Sequence, residues 1–132
     1  MIPIEALQEL TGSEIGLSDW LVIDPRRLDH YEQAIGPQPD DLVPPFLLLA
    51  LLPRLLAEVS LPIGNPSATI NYGLDRVEAA APVGVGERVR ARAFLDSVEM
   101  IGKSVQLRRR AVVEKETGEH ALEAVTITRL VY

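Results

Sequence analysis

The segment "LVPPFLLLALLPRLLAEV", residues 42–59, constrains the fold more than any other part of the chain, because no charged side chain precedes its Arg54. The uninterrupted apolar run is shorter than the roughly 20 residues that a membrane-spanning helix needs. We therefore predict a helix that the rest of the chain buries on all sides. Pro44 and Pro45 suit the first turn of this helix, and Pro53 is predicted to kink or end it.

The second half of the chain alternates between apolar and polar residues, a pattern typical of β-strands. Arg88, Arg90 and Arg92 share one face of such a strand, which we interpret as a solvated face. Arg109 falls on the apolar face of the next strand, where it needs either a carboxylate partner or a bulge that shifts the alternation. The predicted strands cover residues 67–73, 76–83, 86–102, 103–118 and 120–132, with glycine turns between the last three.

The first third of the chain predicts two helices and a short strand. A short helix ends at Gly12, and a strand follows over residues 20–23. Asp24 is a suitable N-cap for a second helix, since Pro25 would occupy its first turn and Gly36 would end it. A proline-rich loop then leads to the apolar helix.

The order of these elements predicts one α+β domain over residues 1–132. An antiparallel sheet that wraps around a central apolar helix buries both the helix and the apolar face of the strands. This arrangement is the hot-dog fold.

Composition excludes several classes of function. The formal net charge of −6 argues against nucleic-acid binding, and the absence of cysteine excludes disulfides and thiolate catalysis. His30 and His120 are too far apart in sequence to suggest a metal site, so we predict no metal and no cofactor. The N-terminal residues lack the basic and apolar regions of a signal peptide, which predicts a cytoplasmic protein.

Four segments resemble the MaoC-like dehydratases, and within them the NodN-type branch with a single hot-dog domain: "SDWLVIDPRRLDHYEQAIG", "FLLLALLPRLLAEV", "NYGLDRVEAAAPVGVGERVRARAFLDSVE" and "EAVTITRLVY". The resemblance implies a dimer with one continuous sheet, acyl-CoA or another acyl thioester as the ligand, and a place in fatty acid metabolism. Family members with the full motif are (R)-specific enoyl-CoA hydratases, which add water to a trans-2-enoyl thioester.

The sequence departs from the catalytic pattern of those hydratases. In them an Asp and a His handle the proton of one water, and backbone N–H groups at the start of the central helix polarise the thioester carbonyl. Here Pro37 stands at the Asp position, and no histidine lies between His30 and His120. Pro44 and Pro45 replace the His-Gly pair that opens the helix. The resemblance therefore implies a member that is degenerate in the hydratase motif.

Five residues remain as candidates for a site: Asp40 and Asp41 for catalysis, and Asn71, Tyr72 and Gly73 for substrate binding. Asp40 and Asp41 lie near the missing pair, where a buried carboxylate could act as a base, but they could also be solvated or cap the helix. By the resemblance, Asn71 and Tyr72 lie on a strand beside the thioester pocket. Asn71 could bind a carbonyl or a water and Tyr72 could line the acyl tunnel, or both could be structural. Gly73 is expected to serve a turn.

Three hypotheses follow, and they leave open whether the protein is an enzyme. The first is a non-catalytic protein, expected as a homodimer, that binds an acyl thioester or another hydrophobic ligand. The second is a degenerate subunit of a hetero-oligomeric hydratase, paired with an active MaoC-like subunit. The third is an active acyl-CoA hydratase or thioesterase that uses Asp40, Asp41 or Asn71.

Overall fold

The computed structural model describes residues 4–132, in which an antiparallel six-stranded sheet curves around one helix. The elements in chain order are α1 (Ile4–Glu9), β1 (Glu14–Leu17), β2 (Leu21–Val22), α2 (Pro25–Ile35), α3 (Pro45–Leu56), β3 (Ala68–Ala79), β4 (Arg88–Ile101), β5 (Ser104–Lys115) and β6 (His120–Val131). The predicted α+β class and the central apolar helix are confirmed.

The strands run in the order β1-β4-β5-β6-β3, and β2 also pairs with β4. The last three predicted strands match β4, β5 and β6 closely. The prediction of two separate strands over 67–73 and 76–83 was wrong, because one strand, β3, continues from Ala68 to Ala79. Its register against β6 shifts at Tyr72 and at Asp75, so two bulges absorb the break in alternation that had suggested a turn. β1 was not predicted.

The core lies on the concave face of the sheet. Alternate side chains of β4 and β5 point inward and are buried, namely Val89, Ala91, Ala93, Leu95, Val105, Leu107, Ala111 and Val113. α3 packs against this face through buried leucines, and α1 adds the buried Leu7 at the other end of the sheet. The period of two in the sequence thus determines which face holds the core.

α3 differs from its prediction in two respects. Pro53 does not end the helix, which continues to Leu56. Buried leucines hold the turns on both sides of Pro53. The prediction of burial on all sides was wrong for the single chain, since Phe46 is 75% exposed and Ala50 is also exposed. The sheet covers one side of α3 and leaves an apolar face uncovered.

α2 begins and ends as predicted. The Asp24 carboxylate accepts a hydrogen bond of 2.8 Å from the Arg27 N–H, Pro25 lies in the first turn, and Gly36 follows the helix with a φ of 112°. Among the helices of residues 4–132, none is both long and apolar enough to cross a bilayer.

Candidate functional site

A cavity of about 480 Å³ lies between α3 and the part of the sheet formed by β3, β5 and β6. It exists because β3 is an edge strand whose side chains are all exposed, so α3 does not fill the space next to it. The helix side of the cavity is apolar and includes Leu49, Leu52, Pro53 and Leu56. The sheet side is mostly polar and includes Thr69, Asn71, Arg109, Thr126 and Thr128.

Arg109 is the one charged residue in the wall of this cavity. It lies between the buried Leu107 and Ala111 on the concave side of β5, so the strict alternation in the sequence predicted its direction correctly. Neither expected compensation occurs. The register shift opposite Arg109 lies on β4, between Leu95 and Ser97, so it does not change the alternation of β5. Within residues 4–132 no carboxylate lies within ion-pair distance of Arg109.

The guanidinium of Arg109 has few hydrogen bonds. Nη2 donates to the Thr128 hydroxyl oxygen at 3.3 Å, and the buried Nε has no partner among the described residues. Burial lowers the pKa of Arg109, but an arginine still carries its charge at neutral pH. The cavity wall therefore contains a half-buried cation whose Nε–H has no partner among the described residues.

The segment Asn71–Gly73 is divided between the two faces of the sheet. Asn71 and Gly73 line the cavity, whereas Tyr72 is not part of its wall. The Tyr72 ring instead stacks on the guanidinium of Arg129, 4.1 Å from the ring centroid. The prediction of a turn at Gly73 was wrong, since this residue lies inside β3 beside a bulge and its φ is not positive.

A second cavity, of about 270 Å³, lies at the start of α3, where the resemblance would place the catalytic pair. Pro44, Pro45 and Asp40 are in its wall. The Asp40 carboxylate is exposed and accepts a hydrogen bond of 3.0 Å from the Leu42 N–H, which fixes the turn before the helix. Asp41 is exposed and is not in the wall.

Neither histidine contributes to these cavities. His30 lies on the exposed side of α2 and His120 is exposed at the start of β6, as predicted. The walls of the two cavities contain one carboxylate, that of Asp40. In the part of the chain that the structure describes, no three His, Asp or Glu side chains come together as metal ligands would.

Sequence reasoning missed four polar residues of the larger cavity as site residues. Thr69, Thr126 and Thr128 alternate like ordinary strand residues and carried no separate signal. Arg109 did carry a signal in the sequence, because a charged residue is unusual among the inward-facing residues of a strand. It was treated as an irregularity of the strand rather than as a part of the site.

Comparison with known proteins gives two informative relatives, although no family model matches the chain. The chain is 40% identical to 3-hydroxyacyl-thioester dehydratase Z of Mycobacterium tuberculosis over 124 residues, which cover 92% of this chain and 78% of that protein. It is 31% identical to nodulation protein N of Rhizobium leguminosarum, over 71% of this chain and 68% of that protein.

Solved structures share the fold at low sequence identity. The MaoC-like dehydratase from Rhodospirillum rubrum matches with a TM-score of 0.76 and 13% identity, covering 92% of each chain. The HadBC (3R-hydroxyacyl-ACP dehydratase) complex of Mycobacterium tuberculosis matches with a TM-score of 0.57 and 15% identity, covering 86% of this chain and 94% of that one. These matches confirm the predicted hot-dog fold.

Proposed function

The chain belongs to the MaoC-like family of hot-dog proteins, and from this premise we propose that it binds an acyl thioester without hydrating it. The observation that carries the proposal is the cavity of about 480 Å³ between α3 and the sheet. Its volume lies within the range of about 300–1,000 Å³ typical of small-molecule sites, and its helix side is apolar enough for an acyl chain.

The lack of catalysis is proposed from the groups around the two cavities. Hydration of an enoyl thioester needs a positioned acid and base, which are worth about 10²- to 10⁴-fold in rate. The histidines are exposed and lie outside both walls, and the resemblance implies that Pro37 stands where the hydratases have their catalytic Asp. Prolines at the start of α3 also supply no N–H group for a thioester oxygen.

The proposal predicts binding of hexanoyl-CoA without turnover of crotonyl-CoA. Binding should raise the melting temperature, because a ligand at about 100 times its Kd adds about 2.7 kcal/mol to the unfolding free energy. Calorimetry and thermal melts measure the first result, and loss of the enoyl absorbance measures the second. Absence of any thermal shift with acyl-CoA would contradict the proposed binding.

Hydration or thioester hydrolysis in that assay would instead support the alternative of an active hydratase or thioesterase. Asp40 is then the first residue to test, because it is the carboxylate in the wall of the second cavity. Asp40→Asn should abolish the activity, and Asp41→Asn is the matched control, since Asp41 lies outside that wall. A single protein preparation can therefore distinguish binding from catalysis.

A second candidate function is that of a subunit beside an active MaoC-like partner. The observation that favours it is the exposed edge strand β3 together with the uncovered apolar face of α3. Co-expression with a MaoC-like chain that retains the Asp/His motif tests it. A stable complex whose hydratase activity exceeds that of the partner alone would support this function, whereas unchanged activity and separate elution would exclude that partner.

A further inference from the structure

Arg109 differs from its two neighbours on β5. On the outward face of the sheet, Arg108 forms an ion pair with Asp75, and Arg110 pairs with Glu123 at 3.3 Å. Arg109 points to the concave face and has no such pair among residues 4–132. The contrast follows from the alternation of the strand, because the acidic residues lie on the outward face.

The inward position leaves a charge without a counter-ion. A guanidinium has five N–H donors in a planar fork, and Arg109 uses one of its groups for a long bond to Thr128. Its Nε is buried and has no partner in the described residues. A partly buried charge without compensation is unfavourable, so the position of Arg109 in the wall of a cavity indicates a group that is paired from the cavity side.

The two sides of the cavity match the two parts of an amphiphilic ligand, an apolar chain and a polar group. The helix side offers Leu49, Leu52 and Leu56 to an alkyl chain, while the sheet side offers Arg109 with the amide of Asn71. A planar carboxylate matches the fork of a guanidinium in a bidentate pair. An uncharged carbonyl would accept a hydrogen bond but would leave the charge uncompensated.

We infer that the cavity takes an alkyl chain bearing a carboxylate and that Arg109 binds this carboxylate. The inference rests on the proposed acyl-thioester function and specifies its ligand, an acyl thioester whose chain ends in a free carboxylate. A free fatty acid presents the same chemistry without the thioester, and the test separates these two sources.

The test compares three probes on the full chain by calorimetry: hexanoyl-CoA, adipoyl-CoA and hexanoate. The two thioesters have chains of equal length and differ in the terminal carboxylate. Wild type should bind adipoyl-CoA at least about ten-fold more tightly than hexanoyl-CoA, because hydrogen bonds to charged groups are among the strongest in proteins. Arg109→Met should remove this preference, and Arg110→Gln, on the outward face, should keep it.

Each outcome has one meaning. Equal affinities of wild type for the two thioesters would overturn the inference and leave the proposed function intact. Binding of hexanoate that depends on Arg109, without binding of either thioester, would support the carboxylate site and overturn the proposed function. Failure of all three probes would overturn both.

A stability measurement separates a ligand site from a structural role. Without ligand, Arg109→Met should melt at the same or a higher temperature than wild type, because it removes a half-buried charge that forms no ion pair within residues 4–132. A lower melting temperature with loss of the oligomer would assign Arg109 to assembly and overturn the inference. The wild-type preference for adipoyl-CoA remains decisive if the variant does not fold.

Discussion

Glu114 lies between Arg90 and Arg92 on the outward face of the sheet, and its side chain is 11% exposed. Burial raises the pKa of its carboxyl group, but the hydrogen bonds from Arg92 and Arg90 outweigh burial, and the net result is a lowered pKa. The arginine-rich face predicted as solvated is therefore a network of ion pairs. Because of these ion pairs, we expect the stabilising effect of the Glu114 carboxylate to depend on pH.

We expect Glu114 to stabilise the fold at neutral pH and to lose this effect in acid. Because its pKa in the folded chain lies below the ordinary value of 4.5, its contribution is complete above that pH and disappears as the pH falls through the folded value. Glu114→Gln should lower the unfolding free energy by about 2 kcal/mol at pH 7 and by less at pH 3. Urea unfolding at both pH values measures the difference.

Glu123→Gln is the matched control on the same face, since its contact with Arg110 is longer, at 3.3 Å, and its side chain is 34% exposed. It should cost less stability at pH 7 than the change at Glu114. Equal losses at pH 7 and pH 3 for Glu114→Gln would contradict the assignment of the effect to its ionised carboxylate.

Single residues were predictable where one local rule applied. Asp24 was identified as the cap of α2 because a short acidic side chain before a proline fits the first turn. The direction of Arg109 followed from the alternation of β5, but its lack of a partner did not, because ion pairs join residues distant in sequence. The contact of Tyr72 with Arg129 likewise depends on the pairing of β3 with β6.

At the scale of elements, β1 shows how a short strand escapes prediction. Its four residues include Gly16, and they carry too few alternating side chains to signal a strand. β1 forms because it pairs with β4, with a register shift between Glu14 and Gly16. The same dependence on a partner strand explains why β3 was divided into two, since only its pairing with β6 reveals that the bulges leave it continuous.

Gly16 should not tolerate a side chain. A Cβ atom added there would lie 2.9 Å from Cγ1 of Val59, and a β-branched valine has little freedom to move away. We expect Gly16→Ala to lower the unfolding free energy by about 1–3 kcal/mol, and the further change Val59→Ala to restore part of the loss. Denaturant unfolding of the single and double variants measures both effects.

Gly73→Ala provides the comparison for that prediction. It also lies within a strand, but no heavy atom lies within 4 Å of an added Cβ. A change within about 0.5 kcal/mol is expected there. If the two alanine variants were equally destabilised, the contact with Val59 would not be the cause of the loss.

At the scale of the whole molecule, the single chain leaves apolar surface on two adjoining elements. Ile70 and Val77 of β3 are 44% and 43% exposed, and Phe46 of α3 is 75% exposed. An edge strand of this length with exposed apolar side chains is unusual for a monomer. We therefore expect a dimer in which two β3 strands pair and the apolar face of α3 becomes covered.

Val77→Lys should weaken that dimer by about ten-fold or more in Kd, which corresponds to about 1.4 kcal/mol, because it places a charge beside the pairing edge. Sedimentation over a range of concentrations measures the change. Met100→Lys is the control, since Met100 is similarly exposed, at 46%, but lies at the end of β4. A wild-type chain that remains monomeric at high concentration would contradict the expected dimer.

The exposed edge of β3 also affects which chain this protein would pair with in a cell that contains several related hot-dog proteins. Peptide groups are the same in every hot-dog protein, so their pairing across the edge does not discriminate between a second copy and a foreign chain. The side chains that flank the edge, such as Ile70 and Val77, must therefore determine which partner is bound. A few substitutions on this one strand would then be enough to redirect the chain from self-association to a mixed assembly.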